Sequence, residues 1–108
     1  MDAEDQKLVT LARSAYTRAL VSTWPKAGAA VRDDMGRTYV AATVEVDGAS
    51  VTALQLAVAT AISSGARRFE AGVVVTDDEF ADAEGTKALH AFGDVPLYVA
   101  RTDGTLAG

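Results

Sequence analysis

Five acids crowd into "DDEFADAE", residues 77 to 84: Asp77, Asp78, Glu79, Asp82 and Glu84. Carboxylates at that density can hold a hard cation such as Mg²⁺ or Ca²⁺, but their spacing matches no calcium loop. The simpler reading is an acidic first turn that complements the partial positive charge of a helix N-terminus. His90 is the single imidazole and lacks the partners a zinc site needs. Thr52, Thr60, Ser63 and Ser64 carry hydroxyls with no base visible beside them, and a hydroxyl without a base is not an activated nucleophile. Cysteine is absent, which removes thiolate chemistry, disulfides and Cys-ligated zinc.

The elements that must position these groups can be read from hydrophobic spacing. Leu8, Ala12, Ala15 and Ala19 recur at helical intervals and predict a helix over 5–22, stopped by Trp24-Pro25. "AGAAVRD" (27–33) and "TYVAATVEV" (38–46) read as two strands of a hairpin, with Gly36 in the turn. Ser50 is the expected N-cap of a second helix over 51–64, apolar almost all round and so expected to be buried, with Gly65 as its stop. "EAGVVVT" (70–76) is a valine-rich run of the kind covered on both faces. A third helix over 79–92 ends at Gly93, and "PLYVAR" (96–101) is the last strand. The order is α-β-β-α-β-α-β. Strands joined by helices run parallel, whereas the hairpin pair is antiparallel. The fold class is therefore α/β, a mixed sheet with helices packed on it, in one domain over 1–108.

Composition narrows the partners. The 108 residues are 49% hydrophobic but only 6% aromatic, with 22 alanines, so the core is filled by small side chains. Net charge is −5. A nucleic-acid surface needs clustered Lys and Arg, and Arg67-Arg68 is the sole adjacent basic pair, so nucleic acid is not an expected partner. No apolar run approaches the roughly 20 residues that span a bilayer, and "MDAEDQKL" is no signal peptide. The expectation is a soluble, cytoplasmic protein with no membrane partner.

Several phrases, in this order and spacing, resemble the cytidine deaminase family over about residues 8 to 105. "AGAAV" (27–31) resembles its Val-Gly-Ala-Ala strand, and "MGRTY" (35–39) its Asp-Gly-Arg-x-Tyr turn. "TVEV" (43–46) sits where the family has Asn-x-Glu-Asn. "ATAISSGARRFEAGVVV" (59–75) looks like its helix end, Gly stop and strand. "LHAFGDVPLYVARTDG" (89–104) resembles its closing helix, strand and turn. The resemblance implies a three-layer cytidine-deaminase-like mixed sheet. It also implies zinc held at two helix N-termini by Cys-Ala-Glu (or His-Ala-Glu) and Pro-Cys-x-x-Cys, with the Glu shuttling protons. Counting back from Gly65 places the first motif on Thr52, Ala53 and Leu54. Counting back from "LHAF" places the second on Ala81, Asp82 and Gly85. Thr, Asp and Gly are no usual zinc triad, and Leu54 carries no proton. Glu45 falls on the family's ribose-binding Glu, with Thr43 in place of its Asn. Its alternative is an ordinary charged residue at a strand end.

The resulting expectation is a degenerate, non-catalytic protein of this family with no zinc and no cofactor. It acts through a small-molecule or nucleoside ligand in a vestigial pocket of Thr43, Glu45, Thr52, Ala53, Leu54, Asp82 and Gly85, or as a homo-oligomeric module, dimer or tetramer. Leu54 is expected to make the pocket floor apolar, and the replacement of ligands by smaller groups to let the cleft close. The competing expectations are an active cytidine deaminase with an atypical site and a purely structural oligomer.

Overall fold

The computed structural model describes residues 1–107. The seven elements follow the expected order: α1 (Ala3–Tyr16), β1 (Ala27–Asp33), β2 (Thr38–Ala42), α2 (Ala53–Ser63), β3 (Phe69–Thr76), α3 (Ala83–His90) and β4 (Leu97–Ala100). The strands form one sheet in the order β2-β1-β3-β4. β1 runs antiparallel to both its neighbours, and β3 and β4 pair in parallel. The three strands expected to share a direction therefore share it, with β1 inserted between two of them.

Alternation along the strands sorts the core into two layers. Ala30, Ala71, Val73 and Val75 face α1, where Leu8, Val9 and Ala12 meet them. Ala29, Val31, Ala41 and Val74 face the other way, onto Ala53, Leu54, Ala57, Val58 and Ala61 of α2 and Leu89 of α3. The sheet is thus the middle of three layers. Small residues let the layers approach closely: a Cβ at Gly28 would run into the Ala12 carbonyl and the Tyr16 backbone of α1.

Four boundaries differ from those read in the sequence for a local reason, and the remaining ends shift by at most two residues. α1 stops at Tyr16, not near residue 22, because residues 20–24 are recruited elsewhere. Leu20 N–H donates to the Thr43 carbonyl (2.9 Å), and Glu45 N–H donates to the Leu20 carbonyl (2.7 Å). β2 ends at Ala42, since Val44 turns away to exchange hydrogen bonds with Val51 (3.0 and 2.7 Å). The N-cap of α2 is Thr52, not Ser50: Thr52 Oγ1 accepts from Gln55 N–H (3.2 Å), while Ser50 Oγ donates back to the Val46 carbonyl (2.9 Å). α3 begins at Ala83, so Asp77–Glu79 lie in the preceding loop and only Glu84 is an acid of its first turn. Gly65 does end α2 as expected, at φ +110°. α2 is not buried on every side either: Ala59 and Thr60 are exposed, and their small side chains leave little apolar area in water. No helix among the described residues is long and apolar enough to cross a membrane.

Candidate functional site

The N-termini of α2 and α3 meet beside the carboxyl ends of β2 and β3, the edge where open α/β sheets bind ligands. Thr52 caps α2 and Asp82 caps α3. The two caps are joined. Thr52 Oγ1 donates to Asp82 Oδ2 at 2.6 Å, and the same oxygen accepts from Gly85 N–H at 2.6 Å. Each side chain therefore serves its own helix and the neighbouring one. Gly85 makes this closeness possible: a Cβ there would meet Asp82 Oδ2 and lie 2.5 Å from Leu54 Cβ and 2.8 Å from the Gln55 nitrogen. Leu54 is fully buried against this point.

In front of the joined caps lies a mostly apolar cavity of about 170 Å³. Ala27, Thr43, Val74 and Thr76 come from the sheet end, Thr52 and Asp82 from the caps, and Trp24, Pro25, Asp78, Phe80 and Ala81 from the two loops. Trp24 and Phe80 are 38% and 75% exposed, so two aromatic rings stand at the cavity wall in contact with solvent. The threonine hydroxyls are already committed as donors. Thr43 Oγ1 donates to the Ala27 carbonyl (3.3 Å), Thr76 Oγ1 to the Lys26 carbonyl (2.9 Å), and Thr52 Oγ1 to Asp82. Together with the carboxylates of Asp78 and Asp82 they offer a ligand lone pairs, not protons. The cleft is open, contrary to the expected closure. Trp24, Pro25, Phe80 and Ala81 frame it from the loops, and the joined caps fix its back.

Chain comparison places this geometry. The family model described as "Cytidine deaminase-like" matches residues 1–104. The chain belongs to the cytidine deaminase-like family. Its structure is similar to a cytidine deaminase from Burkholderia pseudomallei, with a TM-score of 0.79 and 22% identity over 98% of this chain and 90% of that one. It is also similar to the cytidine deaminase of Mycobacterium tuberculosis (0.75, 24%, 91% and 85%) and to that of Mycobacterium leprae (0.74, 19%, 95% and 92%). By sequence, no curated protein matches it significantly.

Zinc, which the resemblance implies for a working deaminase, does not fit the donors at the joined caps. A site needs three convergent N, S or O ligands about 2.0–2.3 Å from the ion. Here Gly85 supplies no side chain and has no room for one, and Thr52 and Asp82 satisfy each other. His90 stands at the far end of α3 from the caps, its Nε2 3.0 Å from the Val95 carbonyl. Among the described residues no three of His, Cys, Asp and Glu gather as a metal site.

Of the seven residues expected to form the pocket, Thr43, Thr52 and Asp82 line the cavity together, and Asp78 and Ala81, also singled out in the sequence, line it beside them. Ala53, Leu54 and Gly85 are buried behind it, so Leu54 packs under the caps and is not exposed as a floor. Glu45 is turned toward residues 22–24. Its Oε1 accepts from the backbone N–H of Ser22 (2.9 Å), Thr23 (2.9 Å) and Trp24 (2.8 Å). Its Oε2 accepts from Ser22 Oγ (3.1 Å) and Thr23 Oγ1 (2.5 Å). These bonds, the Thr23 hydroxyl foremost, hold its carboxyl down at about 2 against an ordinary 4.5. Sequence reasoning missed Phe80, and did not place Trp24 or Pro25 at a cavity. The available signal was an isolated large aromatic in each loop, one of them in the middle of an acidic run.

Proposed function

We propose that this member of the family is a zinc-independent, non-catalytic binding module. Its ligand is a small planar ring bearing N–H donors, held between Trp24 and Phe80. The observation that carries the reading is the Thr52–Asp82–Gly85 contact. It uses the helix N-termini to hold each other, where a deaminase of this family needs metal ligands, and it leaves a cavity in front. Leu54, at the position of the proton-carrying Glu, has no proton to move. The cavity volume suits one ring, since an apolar cavity of about 150 Å³ holds benzene. Asp78 and Asp82 at its wall disfavour anions.

Purified protein, dialysed against a weak chelator, is assayed for zinc and for conversion of cytidine to uridine. The expected result is neither metal in stoichiometric amount nor turnover above background. About one zinc per chain together with turnover that scales with protein through repurification would establish the competing active deaminase. Saturable heat on titration with cytosine supports the ligand reading.

The module is also proposed to assemble with itself, as a dimer or tetramer. What supports this is the exposure of two large apolar side chains, Leu20 at 60% and Val46 at 38%, the first bridged to Val44 and the second two residues beyond it in sequence. Light scattering at micromolar concentration checks it, and a mass near 11.2 kDa, that of one chain, would refute it.

A further inference from the structure

Glu45 lies one residue from the strand-to-loop bridge at Val44 and two from the cavity residue Thr43, yet its carboxylate does not line the cavity. It gathers three consecutive backbone N–H groups and two hydroxyls from Ser22, Thr23 and Trp24. A carboxylate has about four lone-pair sites, so five donors exhaust it. A sugar hydroxyl approaching Glu45 would have to displace one of these bonds. Three successive amides aimed at one anion also fix the local backbone, as in an anion-binding bend. The chain that leaves this bend is Trp24-Pro25, and both residues line the cavity. Pro25 has no N–H and a restricted φ, so the direction of Trp24 is set mainly by the bonds before it. The indole itself makes no hydrogen bond among the described residues that would hold it in place.

We propose that Glu45 is a positioning residue: it acts through the Ser22–Trp24 bend to hold Trp24 as the aromatic wall, and the cavity accepts a free ring without gaining from an attached pentose. The second half of this rests on the ligand reading above; the first half does not. It follows that an isosteric amide suffices at position 45. In Glu45→Gln, Oε1 still accepts the three N–H groups, and the amide nitrogen donates to the Ser22 and Thr23 hydroxyls, which accept as readily as they donate. Alanine at the same position supplies neither.

Trp24 is the sole tryptophan, so its fluorescence reports this wall alone. Wild type, Glu45→Gln and Glu45→Ala are compared without ligand by emission maximum and acrylamide quenching, with far-UV circular dichroism to confirm the fold. Cytosine and cytidine are then titrated into each. Expected are a longer-wavelength, more quenchable Trp24 in Glu45→Ala and a wild-type signal in Glu45→Gln. Cytosine and cytidine bind wild type and Glu45→Gln within about threefold of each other, and both weaken by about tenfold in Glu45→Ala, the loss of one aromatic contact of about 1–1.5 kcal/mol. If Glu45→Ala does not fold, Ser22→Ala/Thr23→Val removes the two hydroxyl donors from the other side and shifts Trp24 in the same direction.

An unchanged Trp24 signal in Glu45→Ala overturns the positioning role. Cytidine binding at least tenfold tighter than cytosine to wild type, with that advantage lost in Glu45→Gln, overturns it in favour of direct contact with the sugar. If neither probe binds wild type, the ligand reading fails, and the ligand-free fluorescence alone decides whether Glu45 positions Trp24.

Discussion

At the β1–β2 turn, Asp33 is fully buried and collects four hydrogen bonds. Met35 N–H and Arg37 N–H donate to Oδ1 at 3.0 and 2.9 Å, and Arg37 Nε–H and Tyr39 O–H to Oδ2 at 3.0 and 3.1 Å. No donor is more than six residues away. At the opposite end of the sheet the organising carboxylates reach much further along the chain. Asp82 meets Thr52 across 30 residues, and Glu45 meets Ser22, Thr23 and Trp24 across 21 to 23. The same device, an anion gathering donors, makes a local turn at one end and joins separate elements at the other. The far end is where the cavity lies. A fold can alter the residues there without touching the donors that hold the hairpin turn.

The largest effect that separates the two ends is expected from their glycines. Gly36, at φ +82°, has open space where a Cβ would stand, so Gly36→Ala meets only backbone strain of about 1 kcal/mol. Gly85 is wedged against Asp82, Leu54 and Gln55, so Gly85→Ala must push the two helix N-termini apart, at a cost of about 2–3 kcal/mol. For a chain of this size that is a melting temperature lower by about 10 °C or more, against about 5 °C at the turn. Thermal unfolding of the two variants checks the ranking. Equal losses would mean that the helix ends yield as easily as the turn.

This contrast also explains what the sequence disclosed. The element order, the antiparallel hairpin and the Gly65 stop are legible because they rest on spacing and on neighbours within a few residues. "MGRTY" signals the turn, although nothing in the run marks the Asp33 just before it as buried. The Thr52–Asp82 bond is not legible. Neither residue has a neighbour in sequence that points to the other, and Ser50, two positions before the true N-cap, is an equally good capping residue. The end of α1 is overrun for the same reason: local apolar spacing continues past Tyr16, but Thr43 and Glu45 capture residues 20–24 from a distance. Glu45 is visible as a residue of interest. That its partners are Ser22–Trp24 follows only from the fold.

A middle-sized effect distinguishes the two carboxylates themselves. Asp33→Ala leaves its donors largely free to find water, since Arg37 is 57% exposed, and removes four hydrogen bonds within one hairpin; about 2 kcal/mol is expected. Asp82→Ala removes an N-cap worth about 1 kcal/mol and also strips Thr52 of its acceptor. The sharper measurement is a double-mutant cycle. Thr52→Val and Asp82→Ala should be coupled by about 0.5–1.5 kcal/mol, because they break one shared bond. Asp33→Ala and Asp82→Ala, at opposite ends, should add. Denaturant unfolding of the single and double variants gives both numbers, and additive Thr52 and Asp82 losses would show that the caps act independently.

The smallest effect is expected from protons, and its sign is the same at both ends. Burial pushes the Asp33 carboxyl up, but its hydrogen bonds to Arg37, Tyr39 and Met35 outweigh this and leave it below the ordinary 3.8. Glu45 is held at about 2 by the Thr23 hydroxyl, the Trp24 N–H and the other donors of the bend. A folded-state pKa below the unfolded value means that the unfolded chain takes up the proton first. The contribution of Glu45 is therefore complete above its unfolded pKa near 4.5 and is lost as pH falls through about 2, never as pH rises. Trp24 emission should accordingly stay level from about pH 8 down to about pH 5 and change only in the acid range below that. In Glu45→Gln, which has no carboxyl to protonate, the acid loss of stability that belongs to Glu45 should vanish, while the loss that follows Asp33 should persist. Denaturant unfolding of wild type and Glu45→Gln between about pH 5 and about pH 3, followed by Trp24 emission and far-UV circular dichroism, separates the two. A Trp24 signal that moves above pH 5 while the helices stay intact would show that the bend is not held by the Glu45 carboxylate, and the contrast between a local and a long-range anion would then reduce to Asp82 alone.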